Sequence, residues 1–532
     1  MDFPQKQIFK NLSNSEIIYF ALFTLAFSGC LVSLILGKTE VFVGICFWTL
    51  FLALFFISRP GSDMHRKLRN TLYEKVLILL IALLTILYCI LPMGFLPAWN
   101  GKYPEHRNQY ELLTEAFLDG KLYIEYGDEE DLLALNNPYD PEEREETGVR
   151  HHWDHAFYNG RYYVYFGVVP VLLVFLPYRI LTGVPLNAYR ATQLFAIGII
   201  TGIFCLFWQF KKHYFKKLTL GMYLLLSCSL SLVSVWYAST SPALYCTAIT
   251  AGLCTQIWSI FCFCKGVLFC QEENNQLRYA FFAALLGALT FGCRPPIGLA
   301  NILVLPLLYL FLKQRPFTKK LLVKLCLAAL PYLLLAIGLM AYNYVRFNSI
   351  LEFGQSYQIT VTDQRNMAAG LSFIKIYNAF LQNFFEFHPL TEEFPHVSQG
   401  GVFLNFPILL FCFVGIIPQI REKVRERKLW GFVLTLFAAM AIITLADVLG
   451  APYLMERYRM DIYFLAAIAC FLMIGFWHET MESSLRKRSC FIMHLCVVTI
   501  LIITFHYFNE VSINYPEFIA YLESAICFWR FL

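Results

Sequence analysis

Apolar residues in this chain come in blocks of about twenty, divided by short polar stretches. Val76–Leu96 carries no charge and Leu322–Tyr342 carries one. Blocks of this length cross a hydrocarbon layer of about 30 Å as α-helices rising 1.5 Å per residue. The pattern predicts spans near 15–36, 40–58, 75–96, 188–210, 218–237, 241–264, 278–293, 295–312, 321–345, 402–418, 429–448, 461–477 and 490–508. That is about 13 crossings in an all-α polytopic membrane protein. The first run, Ile17–Leu36, is longer than a signal-peptide core and has no small-residue cleavage site behind it, so it is expected to be a retained anchor. Heptads, low-complexity tracts and internal repeats are not evident.

Charge orients these spans. Basic residues cluster at Arg66–Lys67–Arg69, Lys211–Lys217, Lys313–Lys324, Arg421–Lys428 and Arg486–Arg488. Such clusters stay on the cytoplasmic side, which makes the N-terminus cytoplasmic and places Pro97–Tyr162 and Arg346–Gly401 outside. The first of these loops holds 15 Asp and Glu against six Lys and Arg. Two apolar runs, Val164–Leu181 and Ala188–Phe210, separate it from Lys211–Lys217, yet only an odd number of crossings joins opposite sides. The first run is broken by Pro170 and Pro177, carries Arg179 and ends at Thr182–Gly183. It is expected to lie at the outer interface, leaving Ala188–Phe210 to span.

Composition narrows the class further. The 532 residues are 58% hydrophobic and only 15% charged, against roughly 25% charged in soluble globular chains. A soluble enzyme, a disordered chain and a secreted disulfide scaffold are excluded. The net charge of +5 is spread over short clusters, which is not a nucleic-acid footprint. Most of the 17 cysteines fall inside apolar runs, where they read as small buried hydrophobes.

Candidate chemistry gathers at the outer ends of the spans. Asn159–Gly160 stands between Phe157–Tyr158 and Arg161–Phe166, the signature of a hairpin closed by a type I′ turn. Just ahead of it lies His151-His152-Trp153-Asp154-His155. Asp154 is a candidate general base, and His152 and His155 are candidate substrate contacts. The same residues could hold a divalent ion, or Asp154 could simply pair with Arg150 or Arg161. Asn137-Pro138-Tyr139-Asp140-Pro141 reads as a turn and Asp128–Asp131 as a solvated face.

Arg294, in Cys293-Arg294-Pro295-Pro296, marks a proline-broken helix end. A cation there needs a partner, either an anionic substrate group or a loop carboxylate. Arg457 and Arg459 lie in Glu456-Arg457-Tyr458-Arg459-Met460-Asp461 and Arg346 closes another span. Guanidinium groups suit phosphate, although Glu456 and Asp461 could neutralise the pair and Arg346 could be an interface anchor.

The order of these features resembles the large membrane glycosyltransferases of the GT-C type, among them protein O-mannosyltransferases and bacterial aminoarabinose transferases. A span leads to a long acidic loop, then to the aromatic-proline run Tyr165-Phe166-Gly167-Val168-Val169-Pro170, then to a span ending in a basic turn. Leu286-Gly287-Ala288-Leu289-Thr290-Phe291-Gly292-Cys293-Arg294-Pro295-Pro296 is similar to the family's Gly-Leu-rich helix end, with Arg294 where a lysine is common. Arg457-Tyr458 resembles the family's Arg-Tyr element. Two departures are plain: Glu105 is followed by Asn108-Gln109-Tyr110 where the family often has an Asp-Glu pair, and Trp236–Ser241 lacks a second acid.

The resemblance implies a GT-C-like fold. Residues 1–74 would be an N-terminal two-helix membrane extension and 75–345 a membrane core with outer loop 97–187. Residues 346–401 would be a second outer loop and 402–532 the C-terminal helices and outer tail. It further implies a multi-pass protein of the bacterial plasma membrane that takes sugar from a polyprenyl-phosphate carrier. The acceptor would be a cell-envelope glycan, lipid or protein; no nucleic acid partner and no obligatory cofactor is implied. Asp154, then Glu105, is the expected base, with Arg294, Arg457, Arg459 and Arg346 on the donor. A lipid or sugar transporter and a catalytically inactive scaffold are the rival readings.

Overall fold

A computed structural model describes residues 63–514, 516, 517 and 520, apart from 70, 96–107, 243, 314, 366–371, 388–399, 451–455 and 481–484. The expected spans 15–36 and 40–58 and the candidate base Glu105 lie outside the described residues. Ten helices of the described residues are long and apolar enough to cross a membrane. The chain is an integral membrane protein.

Helix α1 (Leu72–Phe95) is followed by a loop region with three short helices, α2 (Gln109–Leu118), α3 (Glu129–Leu133) and α4 (Pro141–Thr147). Local chemistry starts each of the longer two. Asn108 accepts from Tyr110 N and Glu111 N at the head of α2, and Asp140 accepts from Glu142 N at the head of α4. Strands β1 (Ala156–Tyr158) and β2 (Arg161–Tyr163) pair antiparallel with Phe157 opposite Tyr162. The turn residues Asn159 and Gly160 have φ of 49° and 69°, as a type I′ turn requires.

The run after the hairpin does not cross. A π-turn at Val171–Phe175 leads into α5 (Leu176–Thr182), which stops at Gly183 in the left-handed region (φ 71°). Twelve residues at 1.5 Å each reach only about 18 Å. Arg179 pins α5 to α2 through Glu115, 2.7 Å away, while Ile180 and Leu181 stay exposed. The crossing is made by α6 (Ala188–Tyr214), which ends in Lys211, Lys212 and His213.

The next four spans after α6 are α7 (Leu220–Thr240), α8 (Leu244–Cys264), α9 (Glu273–Cys293) and α10 (Pro295–Lys313). Then come α11 (Lys319–Phe347), the loop helix α12 (Phe373–Phe385), α13 (Pro418–Glu426), α14 (Trp430–Gly450), α15 (Glu456–Thr480) and α16 (Leu485–Asn514). The span expected at 402–418 is built from two short helices, Val402–Asn405 and Pro407–Ile416, the second of 3₁₀ form, and runs beside α15 from Arg459, bonded to Gly400 O, to Trp477, packed on Phe411. Prolines at its head and just past its end cut it to ten residues. Cys412 and Cys470 tie it to α15, their thiols donating to Ala466 O and Ile408 O. Of the expected crossings, ten are full-length helices, this one is short, and 15–36 and 40–58 lie outside the described residues.

Helix α15 is apolar all round, a pattern that belongs to a buried helix. It is the most enclosed of the ten spans. It packs on α7, α14 and the short 3₁₀ helix, with Phe471 stacked on Phe207 at 3.9 Å. Its last turn meets the basic side of the bundle, where Lys217 N donates to Glu479 Oε1 at 2.5 Å and Leu220 N to Arg66 O at 3.0 Å. Its first turn therefore opens on the other side, beneath the loops.

The alternation of spans makes a direct prediction. Cysteines placed at Val184 and Asp131 should react with an impermeant maleimide from one side of the membrane, and one at Lys216 from the other. Labelling of Val184 from the same side as Lys216 would mean that α5 crosses, and would overturn this arrangement.

Candidate active site

The proline pair after Arg294 builds one wall of a cavity at the loop side. A residue before proline is driven out of the helical region, and Arg294 is extended (φ −153°, ψ 104°) at the joint of α9 and α10. Its side chain turns inward. Nε donates to Asp461 Oδ2 at 2.6 Å and Oδ1 at 2.9 Å, and Nη2 lies 4.0 Å from Asp447 Oδ1. Asp461 and Asp447 are buried on α15 and α14, so a single guanidinium holds together the loop-side ends of four helices.

Close packing sets the same wall. A Cβ on Gly167 would stand 2.2 Å from Gly292 O, and one on Gly292 2.3 Å from the Val169 side chain. Only glycines let the aromatic run lie across the end of α9. That crossing separates two hollows. On its polar side is a cavity of about 520 Å³ lined by Asp154, Tyr165, Tyr245, Arg294, Asp447 and Arg457 among others. On its other side an apolar groove of about 530 Å³ runs between α9 and α11, lined by residues such as Val168, Leu172, Leu285 and Leu339.

The loop region places Asp154 on the roof. Its backbone sits in the left-handed region (φ 59°), an uncommon conformation for a non-glycine residue. Neighbours hold it there: Asp154 N donates to Ile359 O at 2.9 Å, Ile359 N to His155 O at 2.8 Å and Gln109 Nε2 to Asp154 O at 2.6 Å. Gln358 Nε2 donates to the carboxylate at 3.0 Å. Burial raises the Asp154 pKa above the usual aspartate value, against the opposing pull of the Gln358 hydrogen bond and the Arg457 charge. Neither arginine expected as a partner is one. Arg150 lies 3.6 Å from Asp128, and Arg161 covers the Tyr123 ring at 4.3 Å.

Arg457 is the second cation in the cavity. Its guanidinium lies 3.9 Å from the centre of the Tyr245 ring, and among the described residues no carboxylate comes within ion-pair distance of it. The structure thus brings Asp154, Arg294 and Arg457 to one cavity from positions 154, 294 and 457.

The remaining candidates serve elsewhere. Arg459 binds Glu386 at 2.5 Å and Gly400 O at 2.7 Å, and Arg346 is buried on Val164 O and Asn343. Both brace the loops rather than line the cavity. His152 stacks on Tyr126 at 3.5 Å and reaches Asp128 at 3.0 Å. His155 is buried, and burial depresses its pKa to about 4. A neutral ring whose Nδ1 meets Trp153 O at 2.8 Å donates there and accepts from the Tyr126 hydroxyl, 2.9 Å from Nε2. The two histidines form a plinth behind Asp154. Among the described residues no group of three or more His, Cys, Asp or Glu side chains is arranged to hold a metal ion.

Sequence reasoning missed Asp447 and Gln358 and saw Asp461 only as a neighbour of the arginines on its own turn. The distances along the chain explain this: Arg294 meets Asp461 across 167 positions and Asp154 meets Gln358 across 204.

Fold and site together define a polytopic helical membrane protein with a charged cavity beneath its loops and a groove open to lipid beside it. The chain is similar to a crystal structure described as ArnT from Cupriavidus metallidurans bound to undecaprenyl phosphate, at 12% identity and a TM-score of 0.43 over 82% of this chain and 77% of that one. No protein-family model and no curated protein matches the sequence.

The Arg294–Asp461 pair has a measurable signature. Removing one member of a buried pair leaves an uncompensated charge and costs about 3–5 kcal/mol. Asp461→Asn and Arg294→Met should each lower thermal stability in detergent by that order, and the double variant by clearly less than the two added together. Additive losses would show that the pair is not a unit.

Proposed function

We propose that this chain is a membrane glycosyltransferase of the GT-C type that moves a sugar from a polyprenyl-phosphate carrier to a cell-envelope acceptor. The observation that carries the proposal is the meeting in one cavity, beside an apolar groove, of a desolvated carboxylate, Asp154, and a guanidinium, Arg457, that has no carboxylate partner among the described residues. Such a donor has a long apolar tail, an anionic phosphate and a polar head. The groove suits the tail, Arg457 suits the phosphate and the roofed cavity suits the sugar. The basic ends of the spans lie on the opposite side of the bundle, which supports an outward-facing site.

The chemistry follows from the charges. An acceptor hydroxyl at the roof gives its proton to Asp154 while its oxygen attacks the anomeric carbon. The bond from that carbon to the phosphate oxygen breaks, and its electron pair leaves with the phosphate, whose charge goes from −1 to −2. Arg457 faces that developing charge, with Arg294 beside it already half-engaged by Asp461 and Asp447. A fixed cation aimed at a leaving group in a place of low dielectric is worth more in the transition state than in the ground state. The raised pKa of Asp154 makes it a stronger base than an exposed aspartate.

An acid whose pKa is raised by folding binds more protons in the native state, so the burial cost is absent below the unfolded pKa of about 4 and present in full above the raised one. Asp154→Asn should therefore not lower thermal stability at pH 7 and should leave donor binding intact. Turnover of a labelled polyprenyl-phosphate sugar should fall by about 10²–10⁴-fold. In the wild type, activity should drop on acidification with an apparent pKa above the usual aspartate value. A variant that turns over like wild type would remove Asp154 from the mechanism.

A further inference from the structure

The strap of chain from Glu352 to Arg365 closes the cavity opposite its charged wall. It contributes Phe353, Gln355, Gln358, Thr360, Val361 and Gln364 to the lining, all of them uncharged. The strap does carry charges, but each is spent elsewhere. Glu352 accepts from Gly354 N at 2.6 Å, and Asp363 and Arg365 pair with each other and with Asn137. The polar groups of the strap that line the cavity are the amides of Gln355, Gln358 and Gln364 and the hydroxyl of Thr360, beside Phe353 and Val361.

The strap is held firmly. Its Ile359 backbone pairs with Asp154 and His155, and Arg144 Nη2 donates to Thr360 O at 2.5 Å. Gly354 takes φ 98° where a Cβ would stand 3.0 Å from Ala156, Phe347 and Tyr165. Among the described residues Gln355 Nε2 has 3.4 Å contacts, to Gln364 Oε1 and Gly450 O, and Gln364 Nε2 donates to Thr362 Oγ1 at 3.1 Å. Beside them Trp153 leaves half of its surface open (51%).

We propose that this strap is the sugar-recognising wall of the cavity, with Gln355, Gln358 and Gln364 binding the hydroxyls of an uncharged glycosyl unit laid against Trp153. An amide both donates and accepts, as a hydroxyl does, and three of them on one rigid segment can match several hydroxyls at once. An aromatic face covers the C–H side of a sugar ring. The phosphate is sorted to the other wall, where Arg294 and Arg457 stand. Pre-organised amides on a fixed backbone give specificity because a ligand lacking the hydroxyls leaves them unpaired.

The inference rests on the reading of the cavity as a polyprenyl-phosphate sugar site, and one binding experiment separates the two. Affinities of the full chain in detergent are measured for a polyprenyl-phosphate hexose and for the same polyprenyl phosphate without sugar. Wild type should bind the hexose-bearing lipid about tenfold tighter, the worth of two ordinary hydrogen bonds. Gln355→Leu/Gln364→Leu should abolish that margin while the bare lipid binds as before, which also shows that the variant is folded. Gln364→Leu alone should remove part of the margin. Arg457→Ala should weaken both lipids. If the bare lipid binds and the strap variants keep the full margin, or if a uronic acid in place of the hexose binds equally well, the strap is not the sugar wall. If neither lipid binds wild type, the donor reading itself fails.

Discussion

A guanidinium held at the edge of a bilayer must find a carboxylate, and Arg294 finds its partner on a helix 167 positions away. The cost of an unpaired charge in that place is several kcal/mol, more than any single apolar contact nearby can return. The pair therefore decides how the loop-side ends of α9, α10, α14 and α15 sit relative to one another. Asp447, 4.0 Å from the same guanidinium, draws in the end of α14. With those ends positioned, Arg457, four residues before Asp461 and one turn back on α15, is delivered to the cavity with no carboxylate of its own among the described residues.

The second constraint is steric. The Gly167–Gly292 crossing lets an extended aromatic segment lie directly on a helix end, and the strands and strap above inherit their height from it. The hairpin rises from this segment, and the strap adds to its edge through the Ala156–Gln358 bridge. Asp154 hangs from that junction, fixed by backbone hydrogen bonds from both sides. A carboxylate placed by a ladder of this kind moves little, which suits the proposed role of a general base with a defined target. Behind it His152 stacks on Tyr126, and the buried His155 hydrogen-bonds the Tyr126 hydroxyl and Trp153 O.

Much of the fold was legible in the chain. Period and length gave the spans because a bilayer imposes a nearly fixed thickness on every helix. The placement of Val164–Leu181 outside the crossings followed from counting sides, and the hairpin followed from Asn159–Gly160. At 402–418 apolar composition located the segment but did not reveal that Pro407 and Pro418 bound a short 3₁₀ helix within it. Of the arginines, Arg294 and Arg457 reach the cavity while Arg346 and Arg459 do not, and nothing in their local sequence separates these two pairs.

The sequence by itself determined a membrane-embedded, helical, side-sorted protein with its reactive groups at the loop ends of the spans, because burial of apolar blocks and exclusion of charge act on each segment alone. Only the tertiary structure decided which of those groups meet. Asp154 owes its pairing to Gln358, 204 positions on, rather than to the nearby Arg150 or Arg161. Its raised pKa is likewise a property of the roof that encloses it. Partner choice between groups hundreds of residues apart depends on how helices pack, and packing is a relation among all the segments that no single stretch of chain contains.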